Sequence, residues 1–161
     1  LDTVIYFEAL SEVSVRVSHD LFISKEMISF EANAVDSAID SFLSKDYIRI
    51  REIDSFLVFP NVGYEWNEYL LESFLLSYSK KFALVNNGLS LNNVAGFVVK
   101  KSGQINDFID ACAAFLADGR IELKKVDALN YLADMNVISR RSYKDIDLAL
   151  RRAAQIRRRK E

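Results

Sequence analysis

Two side chains have the chemistry of a nucleophile or a general base, His19 and Cys112, and each is the only residue of its type. A Ser–His–Asp or Cys–His arrangement would have to run through His19, which lies in the short polar link Ser18-His19-Asp20. Cys112 falls on the apolar stripe of a helical pattern and reads as a core thiol, in keeping with a reducing compartment. A zinc centre needs several Cys or His ligands, and this chain offers one of each. Asp107 with Asp110, and Glu68 with Glu72, stand three or four residues apart on one helical face, as metal or acid–base chemistry would require. No histidine or third carboxylate accompanies either pair, so both read as solvated helix faces. Gly63, Gly88, Gly96, Gly103 and Gly119 are scattered singly, and none opens a phosphate-binding loop. The expectation is a non-enzyme with no catalytic residue, no cofactor and no metal site.

What the sequence does offer is an uneven charge. Residues 139–161 hold nine Lys/Arg against three acids, a net of +6, and the rest of the chain carries −8. The cations there include Arg140, Arg141, Arg151, Arg152, Arg157, Arg158, Arg159 and Lys160; Arg49 and Arg51 add two more beside a short β run. Such asymmetry fits nucleic acid, an acidic protein surface, or the acidic body of the same chain. The plainer reading is a solvated helix whose cations complement its own C-terminal dipole.

The elements that would position these residues follow from periodicity. One proline and five glycines in 161 residues argue for helices joined by short turns. A helix is expected over 3–10, a short strand within 13–18, and a short helix near Lys25 capped by Ser24. A clearer helix runs over 34–43, with Val35, Ala38, Ile39, Phe42 and Leu43 at helical spacing. Residues 47–53 then alternate, Asp54-Ser55 reads as a turn, and Phe56–Phe59 continues as a second strand, making a hairpin. Residues 64–82 read as one long helix with apolar side chains nearly all round, Trp66, Tyr69 and Phe74 among them. Such a helix must be covered by its own chain or by a partner. Shorter helices are expected over 90–101, 105–119 and 124–135, and a last one from Ser142. The fold expectation is therefore mainly α: a winged-helix domain of three helices and a hairpin over 1–62, then a helical bundle or array over 63–161.

The stretch SFLVFPNVGYEWNEYLLESFL (55–75) resembles a segment of STAND-type signalling ATPases, including the NACHT proteins. Phe59-Pro60 matches the end of a winged-helix strand, and Glu68-Tyr69-Leu70-Leu71 with Phe74-Leu75 matches the helix that follows. The histidine that such proteins often place after the strand is replaced by Pro60-Asn61, and their phosphate-binding core has no counterpart here. The resemblance, covering about residues 1–80, implies a regulatory piece that does not itself hold ATP, followed by a helical sensor array.

The expected function is a non-catalytic protein–protein or regulatory module, a fragment of a larger signalling or defence ATPase, since the chain opens at Leu1 without an initiator methionine. Its partner would be a protein or a neighbouring domain, docking on Trp66, Tyr69 and Phe74. The alternative is a winged-helix nucleic-acid binder using Arg49, Arg51 and the basic C-terminal helix. No stretch approaches the ~18 apolar residues of a membrane span, and no signal peptide is visible, so the expected setting is cytoplasmic.

Overall fold

A computed structural model describes residues 9, 10, 12–88 and 90–161. The helix expected over 3–10 lies, except for its last two positions, outside the described residues. A short hairpin comes first, with β1 (Ser14–Arg16) antiparallel to β2 (Phe22–Ser24), followed by a 3₁₀ turn over Lys25–Met27 that Ser24 caps. Helix α1 (Ala32–Asp40) leads to β3 (Tyr47–Arg49) and a 3₁₀ turn over Ile50–Glu52. Helix α2 (Glu68–Ser77), β4 (Phe82–Val85) and β5 (Phe97–Lys100) follow, and α3 (Phe108–Asp118), α4 (Lys125–Asp134) and α5 (Ile146–Arg159) complete the chain.

The mainly α, winged-helix expectation is overturned. The structure is 42% helix and 11% strand, with five helices and two small sheets among the described residues, an α+β arrangement. No wing forms: β3 pairs with β5, some fifty residues on in the chain, while Phe56–Phe59 closes a tight turn through a 3.1 Å bond from Phe59 N–H to Phe56 O. The second sheet has the order β3-β5-β4, all antiparallel, and so takes strands from both sides of residue 62.

Residues 97–100 explain that pairing. Phe97, Val98 and Val99 form a short apolar run rich in β-branched side chains, the pattern of a strand buried on both faces. Tyr47, Phe97, Val99, Ala83 and Val85 face the C-terminal helices, whereas Ile48, Val98, Phe82 and Leu84 face α1 and α2. The helix expected over 90–101 does not form; the chain passes through Gly96 at a φ of 116°, which no L-residue adopts comfortably and where a Cβ would collide with the Val85 carbonyl.

The long helix expected over 64–82 is ten residues instead. Asn67 starts it by accepting bonds from Tyr69 N–H at 2.9 Å and Leu70 N–H at 3.1 Å. It ends at Ser77 because the chain turns through Ser79–Lys81 into β4. That turn is pinned by Asp36 of α1, whose fully buried carboxylate accepts from Ser79 Oγ (2.6 Å), Lys80 N–H (3.0 Å) and Lys81 N–H (3.1 Å). The last helix begins at Ile146 rather than at Ser142, and Asp145 occupies the N-cap position without a side-chain bond.

Three apolar clusters result. The largest lies between the sheet and α3, α4 and α5; a second lies between the opposite face and α1 and α2; a third packs the N-terminal hairpin on Leu70. Among the described residues no helix is long and apolar enough to cross a membrane.

Candidate interaction surfaces

Of the aromatic trio expected to meet a partner, Phe74 is buried, and Trp66 and Tyr69 are half-buried against the chain's own side chains. Phe74 is fully buried, 5.3 Å from the Phe30 ring and 6.5 Å from Trp66. Trp66 donates its indole N–H to Pro60 O at 2.7 Å and packs on Phe30, Phe56 and Phe59. Tyr69 lies under the Arg16 guanidinium, 4.3 Å from ring centre to carbon. The greasy helix of the sequence is thus an internal element, wrapped by the N-terminal hairpin, α1 and the 54–66 segment.

Most of the expected cationic contacts are also spent inside the molecule. Arg49 donates to Met135 O at 2.9 Å, and Arg51 reaches Val94 O, Asn93 and Glu68. Both arginines therefore tie β3 and the following 3₁₀ turn to neighbouring elements. Arg157 donates Nε to Ala117 O at 3.1 Å and Nη2 to Leu116 O and Gly119 O at 3.0 and 2.7 Å. That guanidinium satisfies carbonyls left open at the C-terminal end of α3 and complements its dipole. Arg152 pairs with Asp110, Arg141 with Asp134, and Lys160 with Asp118. Arg140, Arg151, Arg158 and Arg159 stay exposed. Three of the nine cations of the basic segment thus pair with acids of the body, the third partner that the charge count leaves open.

Asp118 gathers three of these contacts. It accepts from Lys160 Nζ (2.8 Å), Tyr47 Oη (2.8 Å) and Lys45 Nζ (3.2 Å), joining β3 to the ends of α3 and α5. Partial burial works against its ionised form, but the bonds from Lys160, Tyr47 and Lys45 outweigh that and bring its pKa down to about 2.

The residues with catalytic chemistry are similarly occupied. His19 is exposed and bonded on both ring nitrogens, to Asp20 at 2.7 Å and Asn92 at 2.8 Å; the Asn92 and Asp20 bonds raise its pKa. Cys112 is fully buried, and burial pushes its thiol pKa well above the ordinary range, the state of an unreactive core cysteine. Asp107 is the N-cap of α3, accepting from Asp110 N–H at 2.8 Å. Among the described residues no three His, Cys, Asp or Glu side chains come together as metal ligands would.

Glu72 departs from its expected solvated setting. Only 2% exposed on α2, its carboxyl is driven by burial to a pKa of about 7, with the Arg16 charge acting in the opposite direction. The folded state therefore holds the proton more tightly than the unfolded chain, whose ordinary value is 4.5. Stability from this group is complete below pH 4.5 and declines as pH rises through about 7. Glu72→Gln should match the wild type near pH 4.5 and exceed it by about 3 kcal/mol at pH 8.5, read from urea unfolding at both pH values. A constant difference between the two pH values would contradict the protonated, buried carboxyl.

Two adjacent apolar side chains stand exposed on one turn, which the sequence suggests is a strand. The turn closed by Phe56 and Phe59 carries Leu57 and Val58 at its two corners, 94% and 65% exposed. Turn corners ordinarily hold Gly, Pro, Asn, Asp or Ser, which supply the backbone geometry or bond locally. Here they hold two large apolar side chains, one of them β-branched. The base is aromatic: Phe56 and Phe59 sit edge-to-face at 5.1 Å, and Phe56 stacks on Trp66 at 6.3 Å. The signal in the sequence was the nearness of Leu57-Val58 to the turn pair Asp54-Ser55, with only Phe56 between.

No family model, curated protein or solved structure matches this chain.

Proposed function

We propose that the chain is a non-catalytic interaction module that presents the Leu57–Val58 turn to a protein partner, either a separate chain or a neighbouring domain. The observation that carries this is the pair of exposed apolar corners on an aromatic base of half-buried Phe56 and Trp66 and buried Phe59. Exposed apolar area in water is unfavourable by roughly 25 cal/mol per Å² relative to burial, so a partner that covers the turn gains that free energy. Local choices that oppose the fold's own preferences concentrate at functional positions. The aromatic base keeps the turn ordered before contact, which lowers the entropy cost of docking. The single buried thiol supports a reducing, cytoplasmic setting.

The double substitution Leu57→Ser with Val58→Asn tests the reading. Both side chains point to solvent, so the melting temperature should stay within about 2 °C of the wild type or rise, as expected for surface changes of at most ~0.5 kcal/mol. Fluorescence of an apolar-surface dye should fall on substitution. A loss of several degrees would show that the two residues serve the chain's own packing and would overturn the proposal, as would unchanged dye binding.

A further inference from the structure

A second surface, chemically unlike the first, lies at the end of the sheet where β4 begins and β5 ends. Lys80 and Lys81 precede β4, and Lys100 and Lys101 close β5; with Asp40 and Ser102 they surround an open depression of about 560 Å³. The register makes the clustering unavoidable, because Phe82 pairs with Lys100 and Lys101 N–H donates to Lys81 O at 2.9 Å. Like charges on neighbouring strands repel, and a chain with net charge −2 has no compositional need to place four cations together.

The four ammonium groups are poorly neutralised. Among the described residues neither Lys80 nor Lys81 makes a side-chain ion pair, Lys100 reaches Asp40 only at 4.0 Å, and Lys101 donates to the Ser79 carbonyl at 2.9 Å. Asp36 lies beneath, fully buried, and is saturated by the turn that it pins. The nearby Lys45 and Lys160 differ, since Asp118 holds both.

The form of this cluster says what it suits. A single bound phosphate is ordinarily held by a fork of arginine donors or by free backbone N–H groups. The lining contains no arginine, and the backbone donors of its four lysines are already used: Lys80 and Lys81 N–H by Asp36, Lys100 N–H by Asp46 O, Lys101 N–H by Lys81 O. Lysines are point charges on flexible stems and suit several phosphates in no fixed geometry. Single-stranded nucleic acid is ordinarily held with aromatic stacking, and the one aromatic of the lining, Phe82, is buried in the sheet. Taken together, we propose that this end of the sheet binds the phosphate backbone of double-stranded nucleic acid without reading its sequence.

The test is fluorescence anisotropy of the whole chain with a labelled 20-base-pair random duplex, at 50 and 200 mM salt. Four phosphate contacts predict a fall of about a hundredfold in affinity between the two salt concentrations. Lys80→Ala with Lys81→Ala, whose side chains hold nothing in the fold, should weaken binding at least tenfold and roughly halve the salt slope. Arg158→Ala with Arg159→Ala, on the exposed C-terminal helix, should leave both unchanged. Absence of duplex binding at 50 mM salt overturns the proposal. So does binding that follows the arginines rather than the lysines, tighter binding to the single strand, or binding to anionic phospholipid vesicles without binding to duplex.

Discussion

Asp36→Ala is expected to lower folding stability by about 3 kcal/mol, making it one of the two most damaging single substitutions considered. The carboxylate is fully buried and accepts three bonds, from Ser79 Oγ, Lys80 N–H and Lys81 N–H. Hydrogen bonds to a charged group contribute about 1.5–3 kcal/mol each, and donors left buried without a partner cost a further 1–3. Removing the buried charge relieves its own desolvation, which brings the net toward the lower end. Ser79 Oγ in turn accepts Phe82 N–H at 3.0 Å, so the loss propagates into the start of β4. Asp36→Asn keeps an acceptor and should lose about half as much. Urea denaturation reads both; a stability within 1 kcal/mol of wild type for the alanine variant would show that the turn holds without Asp36.

Phe74→Ala is expected to cost about 3–5 kcal/mol, the usual range for emptying a fully buried aromatic site. Its ring packs against Phe30 and Trp66 in the cluster between α1, α2 and the sheet. The same substitution separates two roles for the residue. A partner-facing Phe74 would leave the melting temperature nearly unchanged and alter association; the buried Phe74 of this fold lowers the melting temperature, by roughly 6 °C or more for a domain of this size. An unchanged thermal midpoint would contradict its burial.

These positions also mark what the sequence made legible. Helices over 105–119 and 124–135 were readable because their signals are local: Asp107 caps α3, Gly119 stops it, and Phe108, Cys112 and Leu116 share a stripe. Tyr47–Arg49 was readable as a strand but its partner was not, since alternation reports a half-buried surface and says nothing about which distant segment covers it. The partner, Phe97–Lys100, carries a three-residue apolar run that periodicity alone does not distinguish from a buried helix segment. The helix expected over 64–82 ran on into β4 for the same reason: Phe82–Val85 continues the apolar composition, and the break at Ser79–Lys81 is imposed by Asp36, more than forty residues earlier.

The two surfaces were partly legible. The excess of cations in the last helix was visible, but a charge count cannot show that Arg157 closes the end of α3 or that Lys160 and Lys45 share Asp118. The lysine cluster is assembled from two dipeptides twenty residues apart, and only the antiparallel register brings them together. Leu57 and Val58 were noticed as apolar, yet a run flanked by Phe56 and Phe59 reads as strand until the turn bond between those two phenylalanines is seen.

The central claim is that the Leu57–Val58 turn is a contact element with no role in the chain's own packing, and sedimentation velocity addresses it most directly. Wild-type protein measured from about 10 to 500 µM should show a sedimentation coefficient that rises with concentration, because an uncovered apolar turn on an aromatic base will meet another copy when its partner is absent. The variant carrying Leu57→Ser and Val58→Asn should sediment as a monomer throughout. Identical behaviour of the two proteins over that range would contradict the claim.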